Sequence, residues 1–220
     1  MDSLIPGSPA GDTFQFERML RNRGFMHIAG ADEAGRGPLA GPVVGAAVIL
    51  PPDCDYTPFC DSKQTSKTQR YRLRDLLLKI GAHIGTGVVS TDTIDSINIL
   101  QAALLAMKSA VEELVKFGSE PDFILVDGTQ RLFIETPQEA LVKGDARSAS
   151  ISAASIVAKI LRDEIMAELH DCYPDYNFIA NKGYPTADHR RIIKEIGPSP
   201  AHRRSFKGVR EYVDTADRPR

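Results

Sequence analysis

His27-Ile28-Ala29-Gly30-Ala31-Asp32-Glu33-Ala34-Gly35-Arg36-Gly37-Pro38-Leu39-Ala40-Gly41-Pro42 decides the reading of this chain. A short apolar run ends in two adjacent acids, then an arginine between glycines, then a proline-rich turn. Carboxylates attract hard divalent cations through oxygen ligands. Glycines let a backbone come close to a sugar or phosphate and reach positive φ. Arginine adds a charge that is permanent at any working pH. Metal, close backbone approach and fixed positive charge together point to chemistry on a phosphate ester.

Two phosphate motifs nearly match here and both fail. Gly30 to Gly37 imitates a P-loop, but Arg36 stands for its lysine and Gly37 for its Ser/Thr. Two acids in a phosphate cradle would also repel the phosphates. Gly35 to Ala40 fits the dinucleotide pattern G-x-G-x-x-A, which must open a helix. Pro42 and the run Val43-Val44-Gly45-Ala46-Ala47-Val48-Ile49-Leu50 follow instead, and that run reads as a strand.

Outward from this stretch, strands are expected over 27–32, 42–50, 83–90, 123–128 and 140–143. Helices are expected over 14–23, 68–80, 148–171 and 187–196. Ile97, Leu100, Leu104, Met107, Val111 and Leu114 repeat at 3-4-3-4-3 spacing and predict one helix over 96–117. Early neighbouring strands followed by helices alternating with buried strands imply an α/β fold, a mixed sheet covered by helices. Residues 1–26 read as a lead-in with a short helix and 27–171 as the main domain. The composition shift after Tyr173-Pro174 marks 172–220 as an appended helical element.

The 220 residues suffice for one substantial domain plus a small appendage, with 42% hydrophobic and 25% charged residues. No apolar stretch approaches the roughly 20 residues of a membrane span, and Met1 to Pro6 lacks the pattern of a signal peptide. Cys54, Cys60 and Cys172 are odd in number and form no C-x-x-C pair, so reduced structural cysteines in a cytoplasmic protein are expected. Net charge is −2, yet Lys182 to Arg210 carries eight Lys/Arg against two acids, Asp188 and Glu195. Global acidity with a basic C-terminal region suits a local binding face for nucleic acid.

Asp32 and Asp127 each end an apolar run, a geometry that places side chains at one rim of a sheet. Asp145 follows Lys143-Gly144 and either caps the long helix or turns toward the rim. Such acids repel one another without a cation; two metals could activate the attacking water and steady the leaving oxygen. Adjacent strand residues point to opposite faces, so Glu33 must lie beyond the regular strand or contribute on different terms from Asp32.

Gly30 to Val44 resembles the signature of type 2 ribonuclease H, ribonuclease HII. Four further blocks agree in order: Asp61-Ser62-Lys63; Leu125-Val126-Asp127-Gly128; Lys143-Gly144-Asp145 running into Ser152 to Lys159; and Asn181-Lys182-Gly183-Tyr184-Pro185-Thr186. The chain departs from the family at Gln64-Thr65, where another lysine and a leucine are frequent. The resemblance implies a ribonuclease H-like mixed sheet flanked by helices, with a small C-terminal helical part. It implies metal-dependent hydrolysis of the RNA strand of RNA–DNA hybrids and cleavage at single ribonucleotides in duplex DNA, leaving 3′-hydroxyl and 5′-phosphate ends. Asp32, Glu33, Asp127 and Asp145 then bind Mn²⁺ or Mg²⁺ and are catalytic. Gly35, Arg36 and Gly37 match the loop that reads the ribose 2′-hydroxyl, and Tyr184 the tyrosine that senses the RNA-to-DNA junction. Ser62, Lys63 and Lys182 suit phosphate contact. His189 and His202 are expected at the surface or facing phosphate. A monomer without a protein partner is expected. The competing readings are a junction-resolvase type of nuclease, which would ignore an embedded ribonucleotide, and a non-catalytic hybrid-binding module, which gains nothing from acids beside a phosphate.

Overall fold

Ile28–Ala34 (β1), Val43–Ile49 (β2) and His83–Val89 (β3) form an antiparallel meander, and Phe123–Asp127 (β4) and Gln138–Leu141 (β5) extend it in parallel from β1. The resulting five-stranded sheet has the order β3-β2-β1-β4-β5. The computed structural model describes residues 12–59 and 65–213. Seven helices are described: Gln15–Arg21 (α1), Lys67–Lys79 (α2), Thr91–Ile97 (α3), Ile99–Lys116 (α4), Ala149–Cys172 (α5), Phe178–Asn181 (α6) and Ala187–Ile196 (α7). None of the described helices is long and apolar enough to cross a membrane.

The two longest helices cover the two faces of the sheet. On one face, α5 packs Ala149, Ala153 and Val157 against Val44, Ala46 and Val48 of β2. On the other, Leu104, Met107, Ala110 and Val111 of α4 meet Ala29, Ala31, Ala47 and Val126. Glycines bring both helices close: a Cβ at Gly30 would collide with the α5 backbone at Ser150–Ile151, and one at Gly45 with the α4 backbone at Ala106–Met107. Glu17 of α1 is buried and accepts hydrogen bonds from the Ser148 hydroxyl (2.7 Å) and the Ser150 N–H (3.0 Å), which fixes the start of α5. A separate cluster of Leu39, Tyr176, Phe178, Ile193, Ala201 and Val209 seats the C-terminal segment on Met166 of α5.

The mixed sheet and the long helices agree with the sequence reading, and several local expectations do not. The helix expected over 96–117 is two helices, broken at Asn98 with φ 69°. The Asn98 side chain accepts from the N–H groups of Leu100 and Gln101 and so caps α4. Periodicity of apolar residues is blind to that interruption. The strand expected over 140–143 is β5, two residues earlier, because Lys143 is left-handed (φ 55°) and opens a short 3₁₀ turn over Gly144–Ala146. Cys172 is exposed at the end of α5, so it has no packing role; Cys54 is partly buried, and both are free thiols. Cys60 lies outside the described residues.

Candidate active site

Asp32 stands near the end of β1 and Asp127 ends β4. The two strands are parallel neighbours with Ala31 opposite Val126, so the acids that follow share one rim, at the carboxyl ends where crevices form in such sheets. Asp32 pairs with Ala46, which packs in the α5 cluster, and therefore faces α5. Glu33 pairs with Gly45, the point where the α4 backbone approaches, and therefore faces α4. Glu33 thus stays within the regular strand and contributes from the opposite face to Asp32. It borders two clefts, one with Gly35, Ser155, Lys159 and Tyr184, the other with Arg36, Met107 and Asp127.

Burial dominates the electrostatics of these acids. Asp32 is 6% exposed, and its carboxyl pKa is raised well above the ordinary value, by desolvation first and then by the charges of Glu33 and Asp127. Hydrogen bonds from Ser155 and from the Glu33 N–H (2.7 Å) oppose the rise. Glu33 is also raised by burial, against the pull of Arg36, whose guanidinium lies 3.2 Å from it. One Asp127 oxygen accepts from the Gly144 N–H at 2.6 Å. Mutually repelling, desolvated carboxylates present a hard all-oxygen donor set, which matches a divalent cation of the Mg²⁺ or Mn²⁺ kind. Among the described residues no group of three or more His, Cys, Asp or Glu side chains is gathered closely enough to hold a metal ion. The donor chemistry of these carboxylates fits such an ion.

Asp145 is buried in the 3₁₀ turn beside Gly144, one residue from the partner of Asp127. It does not cap α5; Ser148 does, its hydroxyl accepting from the Ile151 N–H at 3.2 Å. Charges of Glu33 and Asp127 act on Asp32, and Asp145 follows the Gly144 whose N–H donates to Asp127, so the turn sets the fourth expected acid next to Asp127 in the chain path.

Gly35 has φ +102°, and a Cβ there would run into the Arg162 side chain, so glycine is required twice over. Two buried arginines hold the loop that follows. Arg203 donates to the carbonyls of Gly35, Arg36, Pro38, Gly41 and Pro42 at 2.6–3.2 Å. Arg162 donates to Ala40, Pro42 and Lys182 at 3.1–3.2 Å. Read from sequence, Arg203 counts as part of the basic surface stretch and Arg162 is singled out for no role. Arg203 belongs to the C-terminal basic run yet is fully buried, and Arg191 is spent on Asp188 and Glu195, so the run presents less free charge than its count implies. The spatial pairing of residues so far apart in the chain leaves no local signal.

Tyr184 is 43% exposed, with its ring beside Gly37 and 5.9 Å from the Arg162 guanidinium. Lys182 is left-handed (φ 51°) and its ammonium pKa is lowered, chiefly by burial. Tyr184 lines the cleft it shares with Glu33 and Gly35, with Gly37 beside its ring, whereas Arg36 borders the second cleft with Asp127. Ser62 and Lys63 lie outside the described residues. His189 and His202 are not surface residues: both are buried, in contact with each other, beneath Tyr184. They sit among Tyr176, Phe178 and Ile193, where the aromatic packing of α6 and α7 encloses them.

Residues 29–209 match the family model described as Ribonuclease HII. The ribonuclease HII of Desulfotalea psychrophila is 58% identical over 203 residues, 92% of this chain and 90% of that protein. The crystal structure of the ribonuclease H2 from Pyrococcus horikoshii OT3 superposes with a TM-score of 0.66 at 28% identity, over 85% of this chain and 97% of that one. Bst-RNase HIII, in complex with Mn²⁺, shares the fold at a TM-score of 0.70 and 19% identity, over 88% of this chain and 71% of that one. A mixed sheet with acids at one rim, a glycine-arginine-glycine loop beside them and agreement over nearly the whole length make one conclusion: the chain belongs to the ribonuclease HII family of hydrolytic nucleases.

Proposed function

We propose that this ribonuclease H-type hydrolase cuts the RNA strand of RNA–DNA hybrids and cleaves 5′ of single ribonucleotides embedded in duplex DNA. The observation that carries the reading is the joining of two features at one rim: the acids Asp32, Glu33 and Asp127, the first two desolvated, and the Gly35-Arg36-Gly37 loop beside Tyr184. The 2′-hydroxyl is what distinguishes RNA from DNA at a given site. Gly35 and Gly37 bring backbone polar groups to it with no Cβ in the way, and Arg203 and Arg162 keep that backbone rigid before substrate arrives. Tyr184 offers a flat face to the sugar beyond the scissile bond and a hydroxyl at its edge.

Asp32, Glu33, Asp127 and Asp145 are the groups that hold divalent metal, Mn²⁺ or Mg²⁺. When bound, a metal pair supplies an activated water and charge stabilisation at the leaving oxygen. The protein's own part is positional. Ser155 and the Glu33 N–H fix one Asp32 oxygen set, and the Gly144 N–H fixes Asp127. Arg36 holds Glu33 from the solvent side, where it also meets the backbone phosphate of an incoming strand. Hydrolysis of the P–O3′ bond on the 5′ side of a ribonucleotide leaves a 3′-hydroxyl and a 5′-phosphate.

Asp32→Asn and Asp127→Asn test the assignment. Each removes charge from a metal ligand and is expected to cost several kcal/mol of transition-state stabilisation, on the order of a 100-fold or greater loss of turnover. Folding, read by circular dichroism and thermal melting, should be retained. Near-normal cleavage of a labelled hybrid by either folded variant would refute the site.

A further inference from the structure

We infer that the buried pair His189 and His202 is a positioning device that sets Tyr184 through its backbone carbonyl, with each imidazole locked in one tautomer. The inference rests on the reading of Tyr184 as the junction-sensing residue and adds how that residue is held.

The tautomers follow from the ends of the chain of hydrogen bonds. The backbone N–H of Ser199 donates to His202 Nδ1 at 3.0 Å, so Nδ1 is an acceptor and the proton is on Nε2. At the other end His189 Nδ1 lies 2.9 Å from the Tyr184 carbonyl, which only accepts, so His189 carries its proton on Nδ1 and its Nε2 accepts. The two Nε2 atoms face each other at 3.0 Å. The backbone at each end thus demands the same arrangement at the middle: His202 Nε2–H donates to His189 Nε2. All four ring nitrogens are satisfied, and both rings are neutral.

The immediate surroundings are mostly aromatic. Tyr176 and Phe178 pack their rings on the pair with centroids 4.7–6.5 Å away, and the Tyr176 hydroxyl donates elsewhere, to the Gly197 carbonyl at 2.8 Å. Ser199 contributes its hydroxyl to the same Nδ1 at 2.9 Å. Asp188, the charged neighbour on α7, is engaged with Arg191 at 2.6 Å. Burial lowers the pKa of both histidines, in keeping with neutral rings.

What the device connects gives it a role. The His202 backbone forms a β-bridge with Ala40, and the Arg203 N–H donates to the Leu39 carbonyl at 2.8 Å. The Leu39 N–H in turn donates to the Gly183 carbonyl at 2.7 Å. His202 therefore belongs to the segment that grips the Gly35–Pro42 loop, and through His189 it reaches Tyr184. The chain ties the element facing the 2′-hydroxyl to the element facing the junction, so that their separation is fixed before binding.

The test compares two variants that keep different bonds. The shorter amide of His189→Asn places an N–H where Nδ1 stood and keeps the donation to the Tyr184 carbonyl. His189→Gln reaches toward His202 and gives up that donation. The readout is the ratio of kcat/KM on a duplex with one embedded ribonucleotide to that on a long RNA–DNA hybrid. His189→Gln should lower the ratio about 3- to 10-fold, the worth of one net hydrogen bond, and His189→Asn should restore most of it at a comparable melting temperature. A merely structural role would lower both substrates together in both variants. Nitrogen-15 imidazole shifts of the wild-type protein give a second readout: protonation at Nε2 of His202 and Nδ1 of His189 is expected, and any other tautomer pair overturns the inference. Tyr184→Ala separates the layers. If it lowers the ratio while His189→Gln does not, the positioning claim falls and the Tyr184 reading stands. If Tyr184→Ala leaves the ratio unchanged, both fall.

Discussion

Arg203→Lys offers a demanding test of how the glycine loop is held. The Arg203 guanidinium is fully buried and donates to five main-chain carbonyls between Gly35 and Pro42. Burial, and then the charge of Arg162, lower its pKa to about 9, so it remains charged at neutral pH. A lysine has one nitrogen and three protons and cannot span those acceptors. Of the five, the Pro42 carbonyl keeps Arg162 as a partner. The carbonyls of Gly35, Arg36, Pro38 and Gly41 would lose the bond from Arg203, at about 1–3 kcal/mol for each one left unsatisfied. A buried ammonium is the more strongly hydrated ion, but loss of its proton on burial and entry of water offset part of that total. A net loss of about 3–5 kcal/mol is expected, in the range for breaking a buried ionic network. At this chain length that lowers the melting temperature by about 6–20 °C. Urea unfolding with a linear extrapolation measures the first figure, and calorimetry the second. Cleavage of long hybrid and of single-ribonucleotide duplex should fall together, because the loop serves both. Stability within about 0.5 kcal/mol of the wild type would refute the claim that this arginine organises the loop.

Three further outcomes are expected. With less self-repulsion beside a phosphate, Asp145→Asn should keep or improve hybrid affinity while losing most activity; weak binding with full turnover of the residual complex would contradict it. Between its ordinary pKa of 6.5 and about 3, His202 binds a proton in the unfolded chain that the folded protein refuses, so stability falls as pH drops through that window and is fully present above it. Unfolding at pH 4.5 should show a loss of about 2–3 kcal/mol relative to pH 7.5 that His202→Asn largely removes; an equal loss in the variant would refute the assignment. Tyr184→Ala should impair cleavage at a single ribonucleotide by roughly 5- to 150-fold, the cost of about 1–3 kcal/mol of stacking, with Tyr184→Phe between it and the wild type, and with a smaller effect on a long hybrid.

The acidic rim was legible because its parts are local in sequence. An apolar run closed by Asp32-Glu33, and another closed by Asp127-Gly128, report strand ends without any knowledge of their neighbours. The position of Glu33 needed the sheet itself: only the pairing of Glu33 with Gly45, opposite α4, shows which face it takes. The break at Asn98 was invisible because the apolar spacing continues across it and the evidence for it is a backbone dihedral and a cap. Arg203 and the two histidines were misread for a common reason. Polar residues in a polar stretch carry no mark of burial, and their partners, the carbonyls of Gly35 to Pro42 and of Tyr184, are main-chain groups that any sequence would supply.

The central claim is recognition of one ribonucleotide by the Gly35–Gly37 loop beside the Asp32–Glu33–Asp127 rim. The direct measurement is incubation of an end-labelled DNA duplex containing a single ribonucleotide, with Mn²⁺, with Mg²⁺ and with chelator, resolved to one nucleotide. One metal-dependent cut is expected on the 5′ side of the ribonucleotide, with 3′-hydroxyl and 5′-phosphate ends and no cut in the all-DNA control. Cleavage of the control at the same rate, cleavage undiminished by chelator, or binding of the duplex with no cut under either metal would contradict it.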